Sequence, residues 1–432
     1  MKTKQLQSSI CLRATHFFSA PLLVCALIFT SLLTAQVQVD AELRPRFEYR
    51  HGFGTLFPNN VDAAAFISQR TRLNASYSDE KLDFYLSVHD IRVWGDVPQL
   101  NVADRNGLGL HEAWGQLRFT PEFSVKLGRQ VLAYDDQRIL GGVDWAQQGR
   151  SHDVALLQFR KKQLEVHFGA GFNQDGQSLT GTVLNTNTYK AMQYLWLHRD
   201  WQDFQVSLLI LNNGRQFIDT DDAANTETRY GQTLGSHLEF GRDRLNLMGN
   251  IYYQTGRDVN DNKLNAYLVG LESKYEVQSG FTLILGGELQ SGNDWGSPIN
   301  GDNKAFSPLY GTNHKFNGLM DYFYVGNHTD NVGLLDLYVG TIIKTGEKSS
   351  LNLRLHHFNA AAELTGTASK QLGAEADLVF NYNFSPTVNI KAGYSHLFPT
   401  EGMEFLKNNF DNNANYWGWA MVTIKPVLFK RE

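Results

Sequence analysis

The chain has 432 residues and a formal net charge of −5, from 39 Lys and Arg against 44 Asp and Glu. That balance excludes a generally basic surface, so no nucleic acid is expected as a partner and any anion site must be local. After residue 36 no apolar run reaches the length of about 18 residues that a spanning helix needs, yet aromatic residues are 12% and charged residues only 19%. Strands are then the only way this composition could cross a bilayer.

Lys2, Lys4 and Arg13 precede an apolar run, 21–33, that ends in Leu33-Thr34-Ala35. This is the layout of a secretory signal peptide, residues 1–35, with cleavage expected after Ala35 and a single domain over 36–432. Both cysteines, Cys11 and Cys25, fall inside it, so 36–432 holds no disulfide, and its charge becomes −8 because the leader carries three basic residues and no acidic one.

From Val37 to Arg50 the chain alternates without exception, with Val37, Val39, Ala41, Leu43, Pro45, Phe47 and Tyr49 on one side and Gln38, Asp40, Glu42, Arg44, Arg46, Glu48 and Arg50 on the other. That is a strand with an oily and an ionic face. Pro45 lacks a ladder donor and calls for a bulge or locally broken pairing. The next strand, 65–77, again has a polar even side, Ser68, Arg70, Arg72 and Asn74. Further strands are expected at 82–88, 110–119, 122–132, 151–160, 164–172, 189–198, 204–212, 229–240 and 244–254. Seven more follow at 264–275, 281–290, 332–343, 350–358, 371–382, 387–396 and 415–428, which makes eighteen.

Connections after even-numbered strands are short, whereas those after odd-numbered strands are mostly long and polar, the longest being 291–331. Alternating turn lengths with an even strand count point to an all-β fold: a single antiparallel transmembrane β-barrel of about 18 strands, with short periplasmic turns and long extracellular loops. Outer-membrane lipid and the barrel-assembly machinery are the partners this implies. Phe429 would serve as the terminal aromatic signal despite the Lys430-Arg431-Glu432 tail. Strict alternation would aim Arg129 at lipid, at a cost of about 2–4 kcal/mol near the midplane, so a bulge at Gly128 is expected to turn it inward.

Inward positions of the first five strands carry Arg44, Arg46, Arg70, Arg72, Arg118 and Lys126, while Glu239, Glu272, Glu288, Asp336, Glu375 and Asp377 dominate the rest. One wall is basic and the other acidic. Even-numbered polar faces on strands one and two require an even register sum, so Arg44 must lie opposite Arg70 or Arg72. The stretch 126–153 then adds Arg129, Arg138 and Arg150 with Asp135, Asp136, Asp144, Trp145 and Asp153, a mixture too charged for a core. It is expected to fold into the lumen as a constriction loop. The alternative for the arginines is a wall brace, fully paired by Glu42, Glu48, Asp135 and Asp136.

The thirteen histidines are scattered, and the adjacent His356 and His357 point to opposite faces, so no metal site is expected. Ser151-His152-Asp153 has the letters of a triad, but neighbours on a strand cannot converge. With no nucleophile elbow or phosphate loop, neither an enzyme nor a cofactor is expected.

The pattern Gly128-Arg129-Gln130, Tyr134-Asp135-Asp136-x-Arg138, Gly142-x-Asp144-Trp145 and Gly149-Arg150-Ser151-x-Asp153 resembles the alginate-export family of bacterial outer-membrane barrels. The resemblance implies an arginine-lined channel passing an anionic polysaccharide or oligosaccharide, and carries over Arg129, Asp135, Asp136, Arg138, Asp144, Arg150 and Asp153. The chain departs from that pattern at 383–386, a short turn where a plugging periplasmic loop would be sought. A general or oligosaccharide-uptake porin is therefore the first alternative to polymer export, and an outer-membrane hydrolase the second.

Overall fold

The structure is a computed structural model describing residues 35–431 except 101–103, 105–106, 182, 187, 220–225, 297–300, 325–330, 365 and 367–368. The expected signal peptide lies, but for Ala35, outside the described residues. The first six barrel strands are β1 (Gln36–His51), β2 (Ala64–Ser78), β3 (Leu82–Val93), β4 (Gly109–Arg118), β5 (Phe123–Gln130) and β6 (His152–Lys161). Next come β7 (Leu164–Phe172), β8 (Ala191–Asp200), β9 (Phe204–Ile218), β10 (Thr226–Arg242), β11 (Leu245–Gly256) and β12 (Ala266–Gln278). The last six are β13 (Phe281–Gln290), β14 (Leu334–Lys344), β15 (Ser349–Asn359), β16 (Gln371–Ser385), β17 (Val388–Pro399) and β18, in two segments, Asn415–Ile424 and Val427–Arg431.

Each strand pairs antiparallel with its neighbours in sequence, and β1 pairs with both segments of β18, which closes an eighteen-stranded barrel. Closure removes every free sheet edge, as a spanning sheet requires. The period-two pattern sets which face looks out: Phe47, Leu73, Phe84, Phe168, Leu337 and Val339 are exposed on the outside, while Glu42, Arg44, Arg46, Glu48 and Arg70 are buried inside. Pro45 pairs regularly with Gln69 on the β2 side, but the ladder to β18 skips Arg44 and Pro45, so the missing donor falls where pairing is interrupted. A second proline, Pro426, breaks β18 between its segments, and its carbonyl accepts the Ala41 amide at 3.1 Å.

The strand ends at the long loops differ from the expected ones. β3 runs on to Val93 and β9 to Ile218, because Asp90, Arg92 and Asn213 to Gln216, which read as loop by polarity, still pair in the ladder. A helix the alternation did not reveal, α1 (Glu401–Lys407), packs Met403 and Leu406 inward at a spacing of three, too short a stretch to register as a helical period.

The loop half of the lumen is filled, not open. One apolar cluster packs Met320 and Tyr322 from the 291–333 connection and Met403 from α1 against Leu334, Phe358, Trp417 and Trp419. The other packs Leu132, Ile139 and Leu140 from the 131–151 connection, with Phe306, against Tyr194, Trp196, Leu211 and Leu268. Two connections thus turn into the barrel and bury side chains that would be costly to leave in water. The longer one was expected to project outward; its Phe306, Met320, Tyr322 and Val332 are fully buried instead.

Candidate functional site

The register of β1 and β2 puts Arg44 directly opposite Arg70, one of the two expected pairings, with Glu42 opposite Arg72. Cross-strand neighbours lie about 5 Å apart, so the like charges need counter-charges. Arg70 Nε donates to Glu42 Oε1 at 3.1 Å, and Arg46 Nε to Glu48 Oε1 at 2.8 Å. The rest of the satisfaction comes from the loop.

Residues 144–148 lay their carbonyls along this wall. Arg44 Nη1 donates to Asp144 O at 2.8 Å, Arg44 Nη2 to Ala146 O at 3.2 Å, Arg46 Nη1 to Trp145 O at 2.6 Å and Arg70 Nη1 to Gln147 O at 3.2 Å. Arg72, less buried, reaches Gln148 O at 3.5 Å. The Gln147 side chain wedges between the strands, accepting from Arg44 Nε at 3.0 Å and donating to Ser68 Oγ at 3.0 Å. Trp145 is clasped between the Arg46 guanidinium, 3.9 Å from its ring centre, and His314, stacked at 4.4 Å. Arg44, Arg46 and Arg70 are consequently 3%, 5% and 0% exposed: inward-facing, yet covered.

Asp144 adds a loop carboxylate at this wall, bonded by Arg70 Nη2 at 3.0 Å and Arg44 Nη1 at 3.3 Å. Burial opposes its ionisation, but Arg70 and Arg44 outweigh that and hold its carboxyl below the ordinary aspartate value. Asp135, by contrast, is pushed up by burial although it accepts the Trp196 indole at 3.1 Å.

The same loop crosses the lumen. Arg138, 1% exposed, bonds Glu288 on β13 and also Asn313 and Asn317, each at 3.1 Å, with Phe316 beneath its guanidinium. Its backbone joins the second loop through a parallel bridge of Leu140 with Tyr310, and Arg150 Nη1 donates to Gly311 O at 3.1 Å. Val143 sits at φ 51, a conformation costing a β-branched residue about 1–3 kcal/mol, and is tied there by its amide bond to Thr312 Oγ1 at 3.1 Å. The partners Gln147, Asn313, His314 and Asn317 escaped the sequence reading; the signal available was the set of buried-type residues inside so long a connection.

The remaining predicted residues scatter. Arg118 is tied at the turn end to Asp83 and to Asp79 O, and Lys126 lies 3.8 Å over the Trp114 ring. Arg129 is a correction: pairing through Gly128 continues without a register shift on both sides, so no bulge turns it inward. Gly128 instead takes φ +122 within a regular ladder. Arg129 keeps company on the outer face with its cross-strand partner Asp153, at 2.8 Å, and both are part exposed near the loop end. Neither lines the lumen. Asp136 does face inward, accepting from Asn250 Nδ2 at 2.6 Å.

A family model described as alginate export matches residues 35–419. The chain belongs to the alginate-export family. Among solved structures, Pseudomonas aeruginosa OpdO is similar with a TM-score of 0.60 at 12% identity, over 91% of this chain and 98% of that one. OccK2 (OpdF) of the same organism, solved in complex with glucuronate, gives 0.59 at 14% identity over 91% and 98%. OpdK, solved with vanillate, gives 0.56 at 12% over the same shares. At these identities the likeness is one of fold. No curated protein matches the chain by sequence.

As a member of the alginate-export family the chain is an outer-membrane channel barrel, with its short turns periplasmic and its long loops extracellular. Across the lumen from the arginines, this barrel has an acidic wall. Asp336 accepts from His356 at 2.9 Å, Glu375 accepts the Met320 amide at 2.9 Å, and Glu272 pairs with Lys274 at 2.7 Å and Arg354 at 3.2 Å. Here the loops leave a cavity of about 520 Å³, touched by Glu239, Glu272, Lys274, Lys315 and Arg354. Lys315 reaches it from the loop, and burial lowers the pKa of its ammonium.

Proposed function

We propose that this barrel passes a carboxylate-bearing saccharide, an alginate-like polymer or its oligosaccharides, without catalysing a reaction on it. The observation that carries the reading is the guanidinium wall of Arg44, Arg46, Arg70 and Arg72, whose donors are shared between the carbonyls of 144–148 and the carboxylates of Glu42, Glu48 and Asp144. A carbonyl oxygen offers a guanidinium only a partial charge, whereas a carboxylate brings a full opposite charge and two oxygens that can accept from the guanidinium fork together. A uronate chain therefore has a chemical advantage over the resident loop once it can reach these groups. Individual contacts in a wet lumen stay weak, which suits a path that must release what it binds. That OccK2 was solved with glucuronate and OpdK with vanillate, both carboxylates, adds support at the level of a shared fold.

The test is block of bilayer current by oligouronates compared with neutral oligosaccharides of equal length, in a variant lacking residues 136–147, where the arginines are uncovered. Preferential block by the uronates, lost on fourfold replacement of Arg44, Arg46, Arg70 and Arg72 by glutamine, is the expected result. Equal block by both sugars, unchanged by the replacement, would make the arginines wall braces and remove the basis for an acidic substrate.

A further inference from the structure

We propose that, with the loops docked, the conducting path runs along β10 and β11 rather than along the arginine wall. A septum of Asp136, His237, Asn250 and Tyr252 is its gate. The inference rests on the reading of the barrel as a channel, but not on which solute it passes.

Two cavities stand in line on that wall. The periplasmic one, about 520 Å³, touches Glu239 of β10 and Met248 of β11. The extracellular one, about 350 Å³, touches Thr233 of β10 and Gln254 of β11. Both strands therefore run from one cavity into the other, over six residues or about 20 Å at the usual rise per residue. Inward positions alternate, so only two per strand lie between: His237 and Gly235 on β10, Asn250 and Tyr252 on β11. On the arginine wall, by contrast, Trp145 and Gln147 pack onto the guanidiniums.

The septum is two side-chain layers thick. In the lower, Asn250 Nδ2 donates to Asp136 Oδ2 at 2.6 Å, while His237 Nδ1 lies 2.8 Å from Asn250 Oδ1 and its Nε2 3.1 Å from Glu239 Oε1. In the upper, the Tyr252 ring lies over Gly235, where an added Cβ would come within 2.1 Å of Tyr252 Cδ1. Only glycine admits the ring at that spot. Asp136 is the one member that comes from the loop; the others stand on the barrel. Breaking the lower layer needs a side-chain rotation or a small shift of Asp136, with no change to the barrel, whereas Tyr252 in the upper layer belongs to the apolar cluster that holds Leu132, Ile139, Leu140 and Phe306 of the loops.

The extracellular cavity indicates what approaches the septum from outside. Its lining mixes amides and guanidiniums, including Asn293, Asn303, Gln254, Arg229 and Arg257, which match sugar hydroxyls and carboxylates. Its acidic lining residue Asp258 is engaged by Asn262 and Asn303, while Arg229 pairs with Glu227 and Arg257 with Asp261.

The experiment is single-channel conductance of the full chain in planar bilayers with potassium chloride as the probe. Asn250→Ala and Tyr252→Ala should each raise conductance roughly twofold or more, since each removes a layer at the narrowest point. A change on β3, Ser87→Ala, where the hydroxyl donates to Asn74 Oδ1 at 2.7 Å, should leave it as it was. As a second measurement, Asn250→Cys treated with a charged methanethiosulfonate reagent should lose most of its current, and wild type should not. Unchanged conductance in both alanine variants, together with no effect of thiol modification at residue 250, would place the path elsewhere and overturn the proposal. Loss of uronate selectivity alone would bear on the substrate and leave the septum standing.

Discussion

The two walls of the lumen began as mirror images in the sequence, one basic and one acidic, and they ended in different states. On the β1–β2 wall the loop settles onto the charges, and Arg44, Arg46 and Arg70 become buried partners of carbonyl oxygens. On the β10–β16 wall the carboxylates pair with Lys274, Arg354 and His356, and a cavity remains in front of them. The difference lies in donors and acceptors. Guanidinium groups have five N–H donors each and no acceptor, so they attract backbone carbonyls from a loop; of the carboxylates, Glu272 is satisfied by the basic side chains beside it, whereas Glu288 and Glu375 take Arg138 and the Met320 amide from the loops. Facing the lumen is thus set by the alternation, but access to solute is set by what docks there.

The comparison can be pressed hardest at Arg70. Replacing it with glutamine leaves Glu42 short of its main partner and Gln147 O without a donor, a break of a buried pair worth about 3–5 kcal/mol. Urea unfolding in lipid vesicles should show that loss, and Glu42→Gln combined with Arg70→Gln should recover part of it. A loss below 1 kcal/mol, on the scale of an exposed pair, would mean the arginine wall is more solvated than its burial indicates.

Next in size is Arg138, the strut between the walls. Arg138→Met removes charge-assisted hydrogen bonds worth about 1.5–3 kcal/mol each, and should uncouple the two loops, seen as frequent brief openings in single-channel records. Quiet records would show that the Leu140–Tyr310 bridge holds the loops unaided.

A smaller effect is expected from pH. Asp144 has its pKa depressed in the docked state, so its contribution is present above the ordinary aspartate value and is lost as pH falls through the lower, docked value. Openings should therefore grow more frequent on acidification below about pH 4, and Asp144→Asn should abolish that pH response.

The smallest effect belongs to Arg129. Its pairing with Asp153 on the outer face is of the exposed kind, worth about 0.2–1 kcal/mol, so Arg129→Gln should leave the reversal potential unchanged. A shift toward cation permeability would return this residue to the lumen.

The barrel itself was legible because a spanning sheet must alternate and must close, two constraints that leave a trace at every residue. Hence the parity of Arg44, Arg46, Arg70 and Arg72 and the length alternation of the connections could be read directly. The loops carry no such period. Lys126, Trp145 and Asp144 were recognisable as a folded segment, yet nothing in the spacing of Gln147, Asn313 or His314 tells which wall they meet, because those contacts span more than a hundred residues. Arg129 went astray for a related reason. The cost of a charge in lipid applies at the midplane, and the position of a residue along the membrane normal was not available from alternation; near the loop end, beside Asp153, the outer face tolerates it.

The central claim, that 144–148 occupies the guanidinium wall and closes it, is tested most directly by deleting residues 136–147 and measuring conductance and reversal potential together. Freed of the loop, the channel should conduct more and should prefer anions, with the preference disappearing when Arg44, Arg46, Arg70 and Arg72 are also changed to glutamine. A deletion that leaves both conductance and anion preference as they were would contradict the account.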